Sequence, residues 1–191
     1  MKKIITIVAL VATQSVLFAQ TKWNVDKAHA RLEFTAVHMS VSEVDGVFKD
    51  FDASVTASKP DFSDAKFELS AKVASINTDV DMRDADLKSD HFFDAANNPE
   101  LTFVSTGIKP TTANHYKLSG KMTMHGITKD VVLDLWYRGT IDNAMTKAKD
   151  AGFQVTGVVK RSDFKLGAQY PDAVISNDIT LKANAEFAPA K

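Results

Sequence analysis

The stretch Lys66-Phe67-Glu68-Leu69-Ser70-Ala71-Lys72-Val73 sets Phe67, Leu69, Ala71 and Val73 on one parity and Lys66, Glu68, Ser70 and Lys72 on the other. Successive side chains of a strand point to opposite faces, so this is a strand with one buried and one wetted face. The same period runs outward in both directions. Upstream, Leu32, Phe34, Ala36 and His38 alternate with Glu33, Thr35 and Val37, and a run after Gly46 carries Phe48, Phe51, Ala53 and Val55. The three-residue step from Phe48 to Phe51 predicts a bulge. Downstream lie five more runs: Leu101 to Ile108, Tyr116 to Met124, Val131 to Ile141, Phe153 to Arg161 and Ile175 to Phe187. Turn residues bound each of them, and His125-Gly126 predicts a tight hairpin.

One segment breaks the pattern. Asp79 to Asp90 is charged and lacks β-branched residues after Val80, with Met82, Leu87 and Phe93 as an inward stripe. A short helix is expected around residues 80–95, with Asp79 or Asp81 near its N-terminus, where a carboxylate favours the helix dipole. Asn97-Asn98-Pro99 ends it. Eight strands and one inserted helix define an all-β chain, an extended eight-stranded antiparallel sheet that can close into a barrel. Several runs exceed the usual strand length, which predicts a barrel roughly 25–30 Å tall.

At the N-terminus, Lys2 and Lys3 precede an apolar run from Ile4 to Leu10 that continues, with polar breaks, to Phe18. That is the form of a secretory signal peptide over residues 1–19, cleaved near Ala19, and too short and interrupted for a stable membrane span. Residues 20–191 then form one domain in the periplasm or outside the cell. The chain contains no cysteine, so neither disulfides nor thiolate-bound metals support it. With 23 Lys and Arg against 24 Asp and Glu, it has no basic stripe for nucleic acid. A homodimer is left open.

The inward parity mixes bulky and small residues. Phe34, Phe48, Phe51, Phe67 and Phe103 alternate with Ala36, Ala53, Ala71, Gly120, Gly157, Ala183 and Ala185, while Met122 and Met124 are deformable. An open pore and an interlocked, filled interior satisfy this pattern equally. If the pore is open, its wall is expected to include these five phenylalanines together with His38, Phe92, Met122, Met124, Leu133, Leu135 and Phe164. His29, Arg83 and Asp84 are candidates for a polar rim. His38 shares the inward parity and is placed to hydrogen-bond a head group.

Sharper chemistry finds little purchase. The five histidines, His29, His38, His91, His115 and His125, show no metal-ligand spacing. The acidic run Asp79, Asp81, Asp84, Asp86 fails as a calcium loop, because Asp84 stands where such a loop needs glycine. No nucleophile elbow, H-E-x-x-H or phosphate-binding glycine loop occurs, so no catalytic residue, metal or cofactor is expected.

Two segments carry a resemblance. Arg83-Asp84-Ala85-Asp86-Leu87-Lys88-Ser89-Asp90-His91-Phe92-Phe93-Asp94 is followed by Asn98-Pro99-Glu100-Leu101-Thr102-Phe103, and then by Leu118-Ser119-Gly120-Lys121-Met122-Thr123-Met124-His125-Gly126-Ile127-Thr128-Lys129. With Trp23-Asn24-Val25-Asp26-Lys27-Ala28-His29 and Arg161-Ser162-Asp163-Phe164, residues 22–187 resemble the YceI-like family. The resemblance implies a lipocalin-like barrel, periplasmic or secreted, that carries a polyisoprenoid or fatty-acid-like amphiphile and performs no chemistry. A stress-related scaffold or metal-associated protein with a filled barrel is the alternative.

Overall fold

In the computed structural model, which describes residues 19–190, strand β1 (Thr21–His38) organises the sheet. Its second half pairs with β2 (Ser42–Phe48), Leu32 facing Phe48 and His38 facing Ser42, and its first four residues pair with β3 (Phe51–Ala57). Strands β2 and β3 therefore run end to end along one edge of β1, broken at Lys49-Asp50, where the Phe48-to-Phe51 step predicts a bulge. Strand β1 has its own irregularity between Val25 and Ala30.

The remaining elements are β4 (Lys66–Lys72), β5 (Ile76–Asn77), α1 (Asp81–Lys88), β6 (Glu100–Thr112), β7 (His115–Met124), β8 (Ile127–Asp142), β9 (Lys149–Lys160) and β10 (Asp178–Pro189). From β3 the sheet continues through β4, β6, β7, β8 and β9 to β10, which pairs back onto β1. All pairings are antiparallel. Counting β2 and β3 as one interrupted strand, this is the expected closed barrel of eight, with one short helix. The β10–β1 pairing closes the sheet, so neither of these strands is left as a free edge.

Several boundaries differ from the sequence expectation. Strand β1 begins at Thr21, because β10 and β3 pair with the polar residues that hide its period. Strand β10 begins at Asp178, and Ile175 forms only an isolated bridge to His38. The helix occupies Asp81–Lys88 alone; residues 89–98 form turns, held by Asp94 N–H to Ser89 O at 2.8 Å and Asn98 N–H to Asp94 O at 2.7 Å. The N-terminal segment read as a signal peptide, up to Phe18, lies outside the described residues.

Register is fixed from both faces. Outside, Lys117 faces Asp134, Lys121 faces Asp130, Asp142 faces Lys149 and Lys160 faces Asp178, with ion-pair distances from 2.5 to 3.0 Å. Each exposed pair stabilises by only about 0.2–1 kcal/mol, but a one-residue slip would break all of them and turn the core outward. At the β7–β8 hairpin, His125 (φ 50°) and Gly126 (φ 68°) both take the left-handed conformation of a two-residue turn.

The core is thickest at the end of the barrel away from α1. Phe62, from the loop between β3 and β4, packs its ring 5.0 Å from Tyr137 and Phe153 and 5.4 Å from Trp23. Phe153 also meets Phe67 and Phe187 edge-on, at 5.3 and 5.7 Å. These rings close that end. Tyr116 seals it with a hydroxyl donating to Asp61 O at 2.7 Å, and burial raises the pKa of that phenol.

Candidate functional site

The opposite end is hollow. A cavity of about 630 Å³ lies where α1 and the loops around it stand in for regular strand pairing. Strand β1 contributes Phe34, Ala36, Val37 and His38, β2 contributes Val44 and Phe48, and β10 contributes Ile179 and Leu181. Leu101, Met124 and Val159 enter from the near ends of β6, β7 and β9. Among the described residues, none of β3, β4 or β8 lines it. The hollow therefore occupies one end of the barrel rather than its whole height.

The cover comes from two segments. Leu87 of α1 and Phe92-Phe93 form one side; Leu166, Tyr170, Val174 and Ile175 form the other. The two are tied together: Gly167 N–H donates to His91 O at 2.9 Å, and Phe92 stacks on Tyr170 with centroids 5.5 Å apart. Gly167 (φ 56°) allows this approach, since a Cβ there would meet Phe92 at 2.4 Å. Phe93 meets Phe48 edge-on at 6.1 Å, and Phe48 leans on Phe34 at 5.8 Å. The mouth is marked by Val37, His38, His91 and Met82, all exposed.

Polar groups are few and organised. Asp84 is 6% exposed, and its carboxylate accepts from Thr78 N–H (2.8 Å), Thr78 Oγ1–H (2.6 Å) and Asn77 Nδ2 (3.3 Å). Thr78 in turn accepts from Arg83, its Oγ1 from Nε at 2.8 Å and its carbonyl from Nη2 at 2.7 Å. A buried carboxylate thus orients a threonine that orients an arginine on the cavity wall. Across the mouth, Asp86 lies 3.4 Å from both Tyr170 OH and His91 Nδ1.

Arg161 holds the second cover segment. It is 5% exposed, and it donates to the carbonyls of Leu166, Gly167, Tyr170, Ile175 and Ser176 and to the Asp172 carboxylate, at 2.6 to 3.3 Å. A planar guanidinium with five donors can gather one loop around itself in this way, which a lysine cannot. Its position in the Arg161-Ser162-Asp163-Phe164 segment was the only sequence signal pointing to it.

Of the residues expected at a ligand, the cavity brings together Phe34, His38, Phe48, Phe92 and Met124, with Arg83 at its polar side. Six others lie in the packed interior. Phe67, Phe103, Met122, Leu133, Leu135 and Phe164 are buried core residues outside the cavity lining. The physical reason is that neighbours fill the space the small residues were expected to leave: a Cβ on Gly120 would meet the Phe103 ring, and one on Gly157 would meet Leu133, each at 2.4 Å. Phe51 lines a smaller hollow of about 240 Å³, with Lys27, Arg31 and Lys49, that shares Phe48 with the main cavity. Asp84 braces the rim from within instead of facing the cavity.

His29 stands apart from the mouth, in the β1 irregularity. Its Nδ1 is 2.8 Å from Asp26 Oδ2 and 3.9 Å from Glu186 Oε2. The hydrogen bond to Asp26, then the charges of Asp26 and Glu186, raise the His29 pKa above 6.5; the same bond lowers that of Asp26. The three groups are near enough to share a cation, yet the side chains of His29, Asp26 and Glu186 are 63%, 43% and 49% exposed.

Comparison with known proteins agrees with this architecture. The family model described as YceI-like domain matches residues 23–187. A UPF0312 protein of Staphylococcus aureus (strain USA300) is 32% identical over 171 residues, spanning 87% of this chain and 97% of its own length. The crystal structure of the Campylobacter jejuni YceI protein superposes with a TM-score of 0.73 at 29% identity, covering 98% of this chain and 99% of that one. A polyisoprenoid binding domain from Saccharophagus degradans, implicated in plant cell wall breakdown, shares the fold at TM-score 0.67 and 15% identity, over 90% of this chain and 100% of its own.

Proposed function

The chain belongs to the YceI-like family, and we propose on that footing that it is a non-enzymatic binding protein that holds the apolar part of an amphiphilic lipid in its barrel, working in the periplasm or outside the cell. The observation that carries the reading is the cavity. It is about 630 Å³, lined by Phe34, Ala36, Val44, Phe48, Phe93 and Leu181, with Arg83, Asp86, His38 and His91 gathered towards the mouth. Apolar walls with a few convergent polar groups are what an amphiphile requires: the tail leaves water and the head stays near it. Each methylene buried there favours binding by about 0.8 kcal/mol.

Arg83 is the head-group residue in this reading. Two of its donors are fixed on Thr78, which holds the guanidinium in place and leaves further N–H groups for a carboxylate, phosphate or hydroxyl oxygen. The polyisoprenoid named for the Saccharophagus degradans domain supports an isoprenoid or acyl ligand for this one.

The test is saturable binding of a fluorescent acyl-chain probe to delipidated protein. One site per chain is expected, weakened at least tenfold by Leu181→Arg, which puts a charge on the apolar wall, and unaffected by Val132→Arg on the outer surface. Absence of saturable binding, or equal loss in both variants, refutes the proposal.

A further inference from the structure

We propose that Asp26, His29 and Glu186 form a site for a divalent transition-metal ion of zinc-like chemistry, on the outer face of the seam where β10 closes onto β1. None of the three lines the main cavity, so the site is independent of lipid binding.

The register of the seam builds it. Val25 faces Phe187 and Ala30 faces Ala185, so the four residues Asp26 to His29 stand opposite the single residue Glu186. Phe187 is buried and Ala185 packs against the core, so strand alternation turns Glu186 outward, onto the bulged residues. One ligand atom from each of the three side chains lies within 4.8 Å of the other two. Ligand atoms about 2.1 Å from one ion, at tetrahedral angles, are about 3.4 Å apart. The separations from His29 Nδ1, 2.8 Å to Asp26 Oδ2 and 3.9 Å to Glu186 Oε2, bracket that value. Glu186 arrives from the far end of the chain, so no spacing between histidines could show the set.

The charge around the seam points to a cation. Elsewhere on the outer surface Asp130, Asp134, Asp142 and Asp178 each face a lysine. Among the described residues, no lysine or arginine comes within ion-pair distance of Asp26 or Glu186, whose ionic partner is His29. Lys27, inside the bulge, is turned instead to Asp52 at 2.9 Å. Asp150, two residues before the Gly152 that faces Glu186, adds a third negative charge acting on His29. A divalent ion balances two carboxylates at once. Calcium and magnesium favour sites made of oxygen alone, whereas an imidazole beside two carboxylates suits zinc and its neighbours. The side chains are 43% to 63% exposed, so water completes the coordination and the ion exchanges with solvent. Because its ligands come from both β1 and β10, the ion would fasten the seam that closes the barrel.

The test uses untagged protein stripped by a chelator, with zinc chloride titrated in and followed by calorimetry. One zinc per chain is expected. His29→Gln and Glu186→Gln, both at exposed positions that the fold tolerates, should each weaken binding about tenfold or more, and His115→Gln on β7 should change it less than about twofold. Calcium should bind at least about tenfold more weakly than zinc. Zinc at about a hundred times its dissociation constant should raise the melting temperature by about 5–10 °C in the wild type and not in His29→Gln. It should also slow amide exchange across residues 25–30 and 185–187 while leaving the β7–β8 hairpin unchanged. Absence of saturable zinc binding, or equal binding by His29→Gln, overturns the site. Calcium binding as tight as zinc overturns the class of ion, and binding without a rise in melting temperature overturns the fastening of the seam.

Discussion

Replacing Asp84 by alanine tests whether the cavity rim is built from within. The carboxylate is buried and accepts three hydrogen bonds, two from Thr78 and one from Asn77. Removing it leaves the Thr78 N–H and hydroxyl, on a residue 5% exposed, without their acceptor. An orphaned buried donor costs about 1–3 kcal/mol, so the two together should cost roughly 2–6 kcal/mol. With a urea m-value near 2 kcal/mol/M for a domain of this size, the unfolding midpoint should fall by about 1–3 M. Asp86→Ala, two residues on and at the mouth, loses only contacts of 3.4 Å, and should shift the midpoint by less than about 0.4 M. Asp84→Ala should also weaken acyl-probe binding in native buffer, because Thr78 then no longer holds Arg83. Equal midpoint shifts for the two variants, or a shift below about 0.4 M for Asp84→Ala, would refute the reasoning.

Three further outcomes are expected. Arg161→Met removes the group that gathers the Leu166 to Ser176 loop, so hydrogen exchange should speed markedly across that loop while β7 and β8 keep their protection; uniform loss or no change counts against the assignment. Phe62→Ala leaves a void among Trp23, Tyr137 and Phe153 and should destabilise by about 3–5 kcal/mol in urea unfolding, yet leave acyl-probe affinity within about twofold, since Phe62 is remote from the cavity lining. The His29–Asp26 bond makes stability depend weakly on pH. The raised His29 contributes fully below its ordinary value of 6.5 and loses that as pH climbs through the raised one, while the lowered Asp26 contributes above 3.8 and loses that as pH falls through its own. The wild type should melt slightly higher near pH 5.5 than near pH 8, and thermal scans of His29→Gln should show that difference removed.

Much of the fold was legible because a half-buried strand writes its period into the sequence, as Phe67 to Val73 and Ile179 to Phe187 do. What stayed hidden was the first half of β1, where Asn24, Asp26, Lys27 and His29 obscure the alternation and pairing to β3 and β10 does the work. The cavity was half legible. Parity identifies Phe34, His38 and Met124 as inward, but it cannot say at what height a barrel stops being filled. That depends on which neighbour covers each glycine, and Phe103 over Gly120 and Leu133 over Gly157 are contacts between strands that no single run encodes. Substitutions at Phe103 or Met122 would accordingly report on folding first. The loop from Leu166 to Ile175 has no period at all; its shape comes from long-range contacts, the hydrogen bonds of Arg161, the Gly167-to-His91 bond and the Phe92–Tyr170 stack, that no single run encodes.

The most direct test of the account is to purify the protein under native conditions from the cells that make it, extract it with solvent, and weigh what the cavity held by mass spectrometry. The account predicts one amphiphile per chain, and its disappearance from Leu181→Arg protein that remains folded. Preparations that are consistently free of lipid, from protein that also fails to bind an added acyl chain, would contradict it.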